Sequence, residues 1–189
     1  MKELALYFLD IVKNSTAAGA KQVELTLTEN ERQTLTVVIA DNGKGMSPEL
    51  LATVVDPFTT SRTTRKVGMG IPLYRMAAEQ TGGTMSIESA LGVGTTVTAV
   101  FHLDHIDCPP MGDLPGAAAM MIQGSPDIDF VLTHSVPGGE YTLDTRQLRQ
   151  ILGPDVPLSA PEVFLWVQDY LAEQEKNLNA VSSGRQEKE

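Results

Sequence analysis

The sequence predicts an α/β fold, and three observations carry that reading. Leu4, Phe8, Ile11 and Val12 recur at helical spacing, so residues 2–18 form a helix with one apolar face. Residues 22–28, QVELTLT, alternate polar and apolar side chains, the pattern of a half-buried strand. A second strand over 34–40 runs out at Asp41 into Asn42-Gly43-Lys44-Gly45-Met46. Strands rich in β-branched residues are punctuated in this way by turn residues. With 189 residues, 42% of them hydrophobic, the chain can bury one core and a small second lobe.

Within the first helix, Asp10 and Asn14 are an i, i+4 pair about 130° round from the centre of the apolar face. Taken alone they are two polar residues on a solvated stripe. Gly19 suits the C′ position that ends the helix. The end of the second strand has two readings. Asn-Gly is a common hairpin turn. Alternatively, the Asp41 carboxylate accepts a hydrogen bond from a ligand's amino group, and Gly43 and Gly45 let backbone approach that ligand closely.

Ser47 and Pro48 start a short helix to about Val55. Residues 56–67 are polar, basic and rich in hydroxyls, and they lead into Gly68-Met69-Gly70-Ile71-Pro72-Leu73. A helix N-terminus there favours phosphate, and Arg62, Arg65 and Lys66 could add charge-assisted bonds. The same segment also reads as a surface loop whose cations balance an acidic chain. Gly68-x-Gly70 lacks the third glycine of a dinucleotide fingerprint, and the chain has no P-loop. A helix over 72–80, a strand over 84–88 and a strand from Gly92 to Leu103 follow.

In the second half, 113–123 is helical and 128–134 and 140–143 are strands, with Pro137-Gly138-Gly139 as the turn between them. Asp144 or Thr145 caps a helix through Leu152. Ser159-Ala160-Pro161-Glu162 is a capping box. The helix it opens carries Val163, Trp166, Val167, Tyr170 and Leu171 on one face, as core or docking surface. From about Asn179 the composition predicts disorder. His102, His105 and Cys108 are spaced like metal ligands, but alternation puts His102 and His105 on opposite faces of a strand.

A net charge of −10 argues against nucleic-acid or anionic-membrane binding, which needs a basic face. The single cysteine excludes an intrachain disulfide and a multi-cysteine zinc site. No apolar run suits a bilayer span and no secretory signal is visible, so a cytoplasmic setting is expected.

LDIVKNSTAAGAKQVEL (9–25) followed by VVIADNGKGM (37–46) resembles the first two boxes of the GHKL superfamily of histidine kinases, gyrase, heat-shock chaperones and MutL. DPFTTSR (56–62) resembles the phenylalanine box of its sensor kinases, VGMGIPL (67–73) their second glycine box, and GVGTT (92–96) the start of their last strand. The resemblance implies a Bergerat-type α/β sandwich, a mixed sheet with helices on one face, to which the helices and strands of the second half are expected to add a small α+β appendage. It implies an ATP-binding domain over 1–105; outside the resemblance, residues 106–178 are expected to form a partner-docking or packing extension and 179–189 a disordered tail.

It further implies ATP and Mg²⁺ as ligands. Asn14 would reach Mg²⁺ and phosphate, and Asp41 the adenine amino group. Gly43, Gly45, Met46, Phe58, Thr60, Arg62, Gly68, Met69, Gly70, Ile71 and Thr95 would complete the ATP site. Asp10 holds the place where hydrolysing members carry a general-base glutamate, and is one methylene shorter. Lys66 stands where another glycine is usual. The expected function is slow ATP hydrolysis or phosphotransfer to a protein partner, as in anti-sigma serine kinases. The alternative is an ATP-gated binding module whose lid, 56–67, controls docking. A degenerate fold that binds nothing fits poorly with an intact Asn14, Asp41, Gly43 and Gly45. A protein partner is expected, with the chain a monomer or dimer and no sensor or dimerisation helix pair.

Overall fold

In a computed structural model describing residues 3–55 and 70–186, the first apolar stripe folds as α1 (Leu4–Ala17). The two alternating segments become β1 (Gln22–Glu29) and β2 (Thr34–Asp41). Next come α2 (Pro48–Val55), α3 (Gly70–Gln80), β3 (Thr84–Ala90) and β4 (Gly94–His102). The second half supplies α4 (Leu114–Gly124), β5 (Asp129–Val136), β6 (Gly139–Asp144), α5 (Thr145–Leu152) and α6 (Pro161–Gln186). Among the described residues no helix is long and apolar enough to cross a membrane.

All six strands form one mixed sheet in the order β3-β4-β2-β1-β5-β6. Register explains the core. Leu132, Leu25, Ile39 and Val97 are direct partners across β5, β1, β2 and β4, and all four are buried. Because side chains alternate along a strand, this one row fixes which face of every strand is inward. The helices cover that face. α1 packs on β2, α3 on β3 and β4, and α6 on β5 and β6, with α4 between α1 and α6. Tyr74 of α3 anchors the first half, its ring 5.5 Å from Phe101 and edge-on to Phe8 at 6.2 Å. The architecture is the Bergerat-type α/β sandwich.

The extension beyond 105 packs on the first half through the sheet itself. β5 lies parallel to β1, and β6 closes that edge antiparallel to β5. Residues 179–186 depart from the expected disorder, since α6 continues to Gln186; 187–189 lie outside the described residues. Leu178 and Val181 extend the stripe of Val167 and Leu171 at helical spacing. Leu178 is buried, and a Cβ built on Gly139 would lie 3.0 Å from it and 3.7 Å from Val181. Packing on β6 therefore outweighs a composition that alone reads as unfolded.

Candidate functional site

A cleft of about 230 Å³ opens between the end of α1, the turn after β2, α2 and the start of α3. Its polar floor is Asp41, the last residue of β2. Ser15 Oγ donates to one Asp41 oxygen at 2.6 Å and the Gly43 N–H to the other at 2.8 Å. Each oxygen keeps a lone pair for a donor on a ligand.

The turn beyond Asp41 is fastened on both sides. Asn42 Oδ1 accepts from the Lys21 and Gln22 N–H groups at 2.8 and 2.9 Å, and the Lys44 N–H donates to Ala18 O at 3.0 Å. Gly45 has φ +65°, and a Cβ there would lie 1.9 Å from Ala90 O. Gly45→Ala is therefore expected to destabilise the fold by about 2 kcal/mol, since both the backbone conformation and the space exclude a side chain. Urea unfolding measures this, and an unchanged midpoint would remove the close approach.

Thr95, on β4, is the partner of Asp41 across the ladder and lines the cleft. Its hydroxyl lies 2.9 Å from Ser89 Oγ. Ser89 already donates to Gly94 O at 2.9 Å and accepts from the Met46 N–H at 2.9 Å. Thr95 must then donate to Ser89, which leaves its lone pairs toward the cleft.

Asn14 is exposed at the cleft mouth, and Ile71 is buried in its wall. Asp10 lies one turn back along α1, against the start of α3. A Cβ built on Gly70 would meet Asp10 Cβ at 3.2 Å and its Oδ2 at 3.9 Å. Asn14, Asp41, Gly45, Met46, Ile71 and Thr95 line the cleft, Gly43 joins it through its bond to Asp41, and Asp10 and Gly70 meet each other beside it without lining it. Phe58, Thr60, Arg62, Gly68 and Met69 lie outside the described residues. Among the described residues no group of three or more His, Cys, Asp or Glu is placed to hold a metal ion.

Ser15 and Ser89 escaped the reading of the sequence. Ser15 had a signal: it sits at i+4 from Ile11, on the buried stripe, where a hydroxyl needs a partner. Ser89 had none, because its partners come from the turn after β2 and the start of β4.

Fold and cleft together define an α/β sandwich of the nucleotide-binding kind. Residues 2–105 match the family described as histidine kinase-, DNA gyrase B- and HSP90-like ATPase, and the chain belongs to that family. Its first half is therefore an ATP-binding domain. Histidine protein kinase DivJ of Caulobacter vibrioides is 36% identical over 95 residues, and sensor protein SrrB of Staphylococcus aureus 34% over 101. These matches cover 48% and 51% of this chain but only 16% and 17% of the two relatives. A solved N-terminal domain of a DNA repair protein superposes with a TM-score of 0.55 at 14% identity, covering 82% of this chain and 58% of that one. That cover is more than residues 2–105 could supply, so the shared fold takes in part of the second half.

Proposed function

We propose that the protein binds Mg-ATP in the cleft and carries out slow phosphoryl chemistry, by hydrolysis or by transfer to a protein partner. One observation carries the chemical part: Asp10 lies against Gly70 at the start of α3. Asp10 and Ser15 are five positions apart, so the two ends of the site lie about 7.5 Å apart along α1. Asp41 would hold the adenine amino group at one end. The phosphates would meet the N-terminus of α3 at the other.

Asp10 and a phosphate chain would place two anions at that terminus, where a divalent cation would supply charge neutralisation. The Asn14 amide oxygen is a hard oxygen donor of the type Mg²⁺ takes, alongside phosphate and water. Asn14 would hold the ion. Asp10 would accept the proton of the attacking hydroxyl or water.

The ATP-gated module is the second reading, and a hydrogen-bond path favours it. Asn42 holds the Lys21 N–H, and Lys21 O accepts from the Asp129 N–H at 2.9 Å, at the entry to β5. Movement of the Asp41 turn would reach the second half in two bonds.

Calorimetric titration with Mg-ATP, followed by phosphate release on the same sample, tests the proposal. Asp10→Asn is expected to lower release about 30-fold and to change affinity less than about threefold. Binding without release, in protein shown to be folded, would favour the gated module.

A further inference from the structure

α6 turns one face away from the sheet, and the described residues leave it uncovered. Val163, Val167 and Leu171 point into the core, while Leu165 and Trp166 are 57% and 49% exposed. Trp166 and Tyr170, one turn apart, stack with ring centres 5.1 Å apart and planes 6° off parallel. They form a flat aromatic plate. Glu162, Asp169 and Glu173 are exposed on the same face. At 100° per residue they lie within about 60° of Trp166 around the axis. Lys176 is the cation nearest them on that face, about 80° from Trp166.

We infer that this face docks a basic amphipathic helix of a partner protein. An aliphatic stripe would lie on the Trp166–Tyr170 plate, and flanking Lys or Arg side chains would meet Glu162, Asp169 and Glu173. Tryptophan and tyrosine are the usual anchors of such contacts, and both rings attract cations to their faces. Charge decides among the occupants. A second copy would set this acidic rim against itself in a chain of net charge −10. Nucleic acid and anionic lipid would present phosphate to the same carboxylates. A basic helix alone satisfies both the plate and its rim. The inference stands apart from the ATP reading, because none of these residues touches the cleft.

The test uses the full chain with two helical peptides, one of leucine and lysine and one of leucine and glutamate. Trp166 is the single tryptophan, so its emission reports on the plate directly. The Leu/Lys peptide is expected to bind saturably and shift that emission, and the Leu/Glu peptide to do neither. In E162K/D169K/E173K, Leu/Lys affinity should fall about tenfold or more and the Leu/Glu peptide should bind. A control, E88K/D127K/D155K, makes the same change in net charge at exposed positions elsewhere and should bind as wild type does. Four results would overturn the inference. They are binding that leaves Trp166 emission unmoved, equal losses in both triple variants, equal binding of both peptides by wild type, and a dimer that Trp166→Ala dissociates.

Discussion

Asp41→Asn is expected to weaken ATP binding at least about 100-fold while leaving unfolding within about 1 kcal/mol of wild type. The two halves of that expectation come from the same geometry. Both carboxylate oxygens already accept one internal bond, from Ser15 at 2.6 Å and from the Gly43 N–H at 2.8 Å. Asparagine offers one oxygen and one amino group. Ser15 can rotate its hydroxyl to accept from that amino group, so the fold loses little. The remaining oxygen must then serve both Gly43 and the ligand, and the ligand loses a charged acceptor. Thr95 cannot compensate, since its proton is held by Ser89.

Comparison with inosine triphosphate isolates the contact, because an oxo group replaces the amino group there. Wild type should prefer ATP by about the factor that the substitution removes, and Asp41→Asn should lose that preference. Unchanged affinity, or undiminished preference, would take the adenine assignment away from Asp41.

Asp41, Gly43 and Gly45 were legible in the sequence because a strand end and a turn are local features, whereas Thr95, a ladder partner 54 positions from Asp41, was reached only through the family resemblance. The pairing of Asp10 with Asn14 was legible from helical spacing, and their common stripe does face the cleft region. What stayed hidden depended on distant segments meeting. Nothing in residues 129–136 says that they lie parallel to β1 rather than beside their own hairpin partner alone. Ser89 reads as one more polar residue on an alternating strand until Met46, Gly94 and Thr95 converge on it. Helical spacing places the α6 stripe on one face, but the fold divides it. Val163, Val167 and Leu171 go to the core, while Trp166 is left half exposed and Tyr170 partly buried beside it. The last turns of α6 were hidden by composition. Two apolar residues, Leu178 and Val181, settle a segment whose other side chains are polar, charged or small.

The same helix is tied to the sheet by a buried charge, and this yields the largest expected effect on stability. His134 of β5 is 3% exposed. Its Nδ1 lies 2.7 Å from Glu175 Oε1 on α6, and its Nε2 lies 3.3 Å from Glu29 Oε1 on β1. Tyr141 donates to the same Glu175 oxygen at 2.5 Å. Both ring nitrogens face carboxylates, so both donate, and the ring is an imidazolium. Burial pushes the His134 pKa down, but the hydrogen bonds and charges of Glu175 and Glu29 outweigh it and raise the pKa to about 9. Burial likewise pushes the Glu175 carboxyl up, and bonding to His134 and Tyr141 holds it below its usual value.

The sign follows from linkage. An unfolded histidine titrates near 6.5, so the stabilisation is complete below that pH and is lost as pH rises through about 9. The full span amounts to about 3 kcal/mol. Glu175→Gln leaves the imidazolium without its nearest charge and is expected to destabilise the neutral-pH fold by about 3 kcal/mol. The same substitution should flatten the alkaline loss, since His134 then has less reason to hold its proton. Urea midpoints at pH 6, 7.5 and 9 separate the two effects. The wild-type and variant curves should converge as pH rises. Parallel curves would mean that titration elsewhere carries the alkaline loss and that His134 is neutral in the fold.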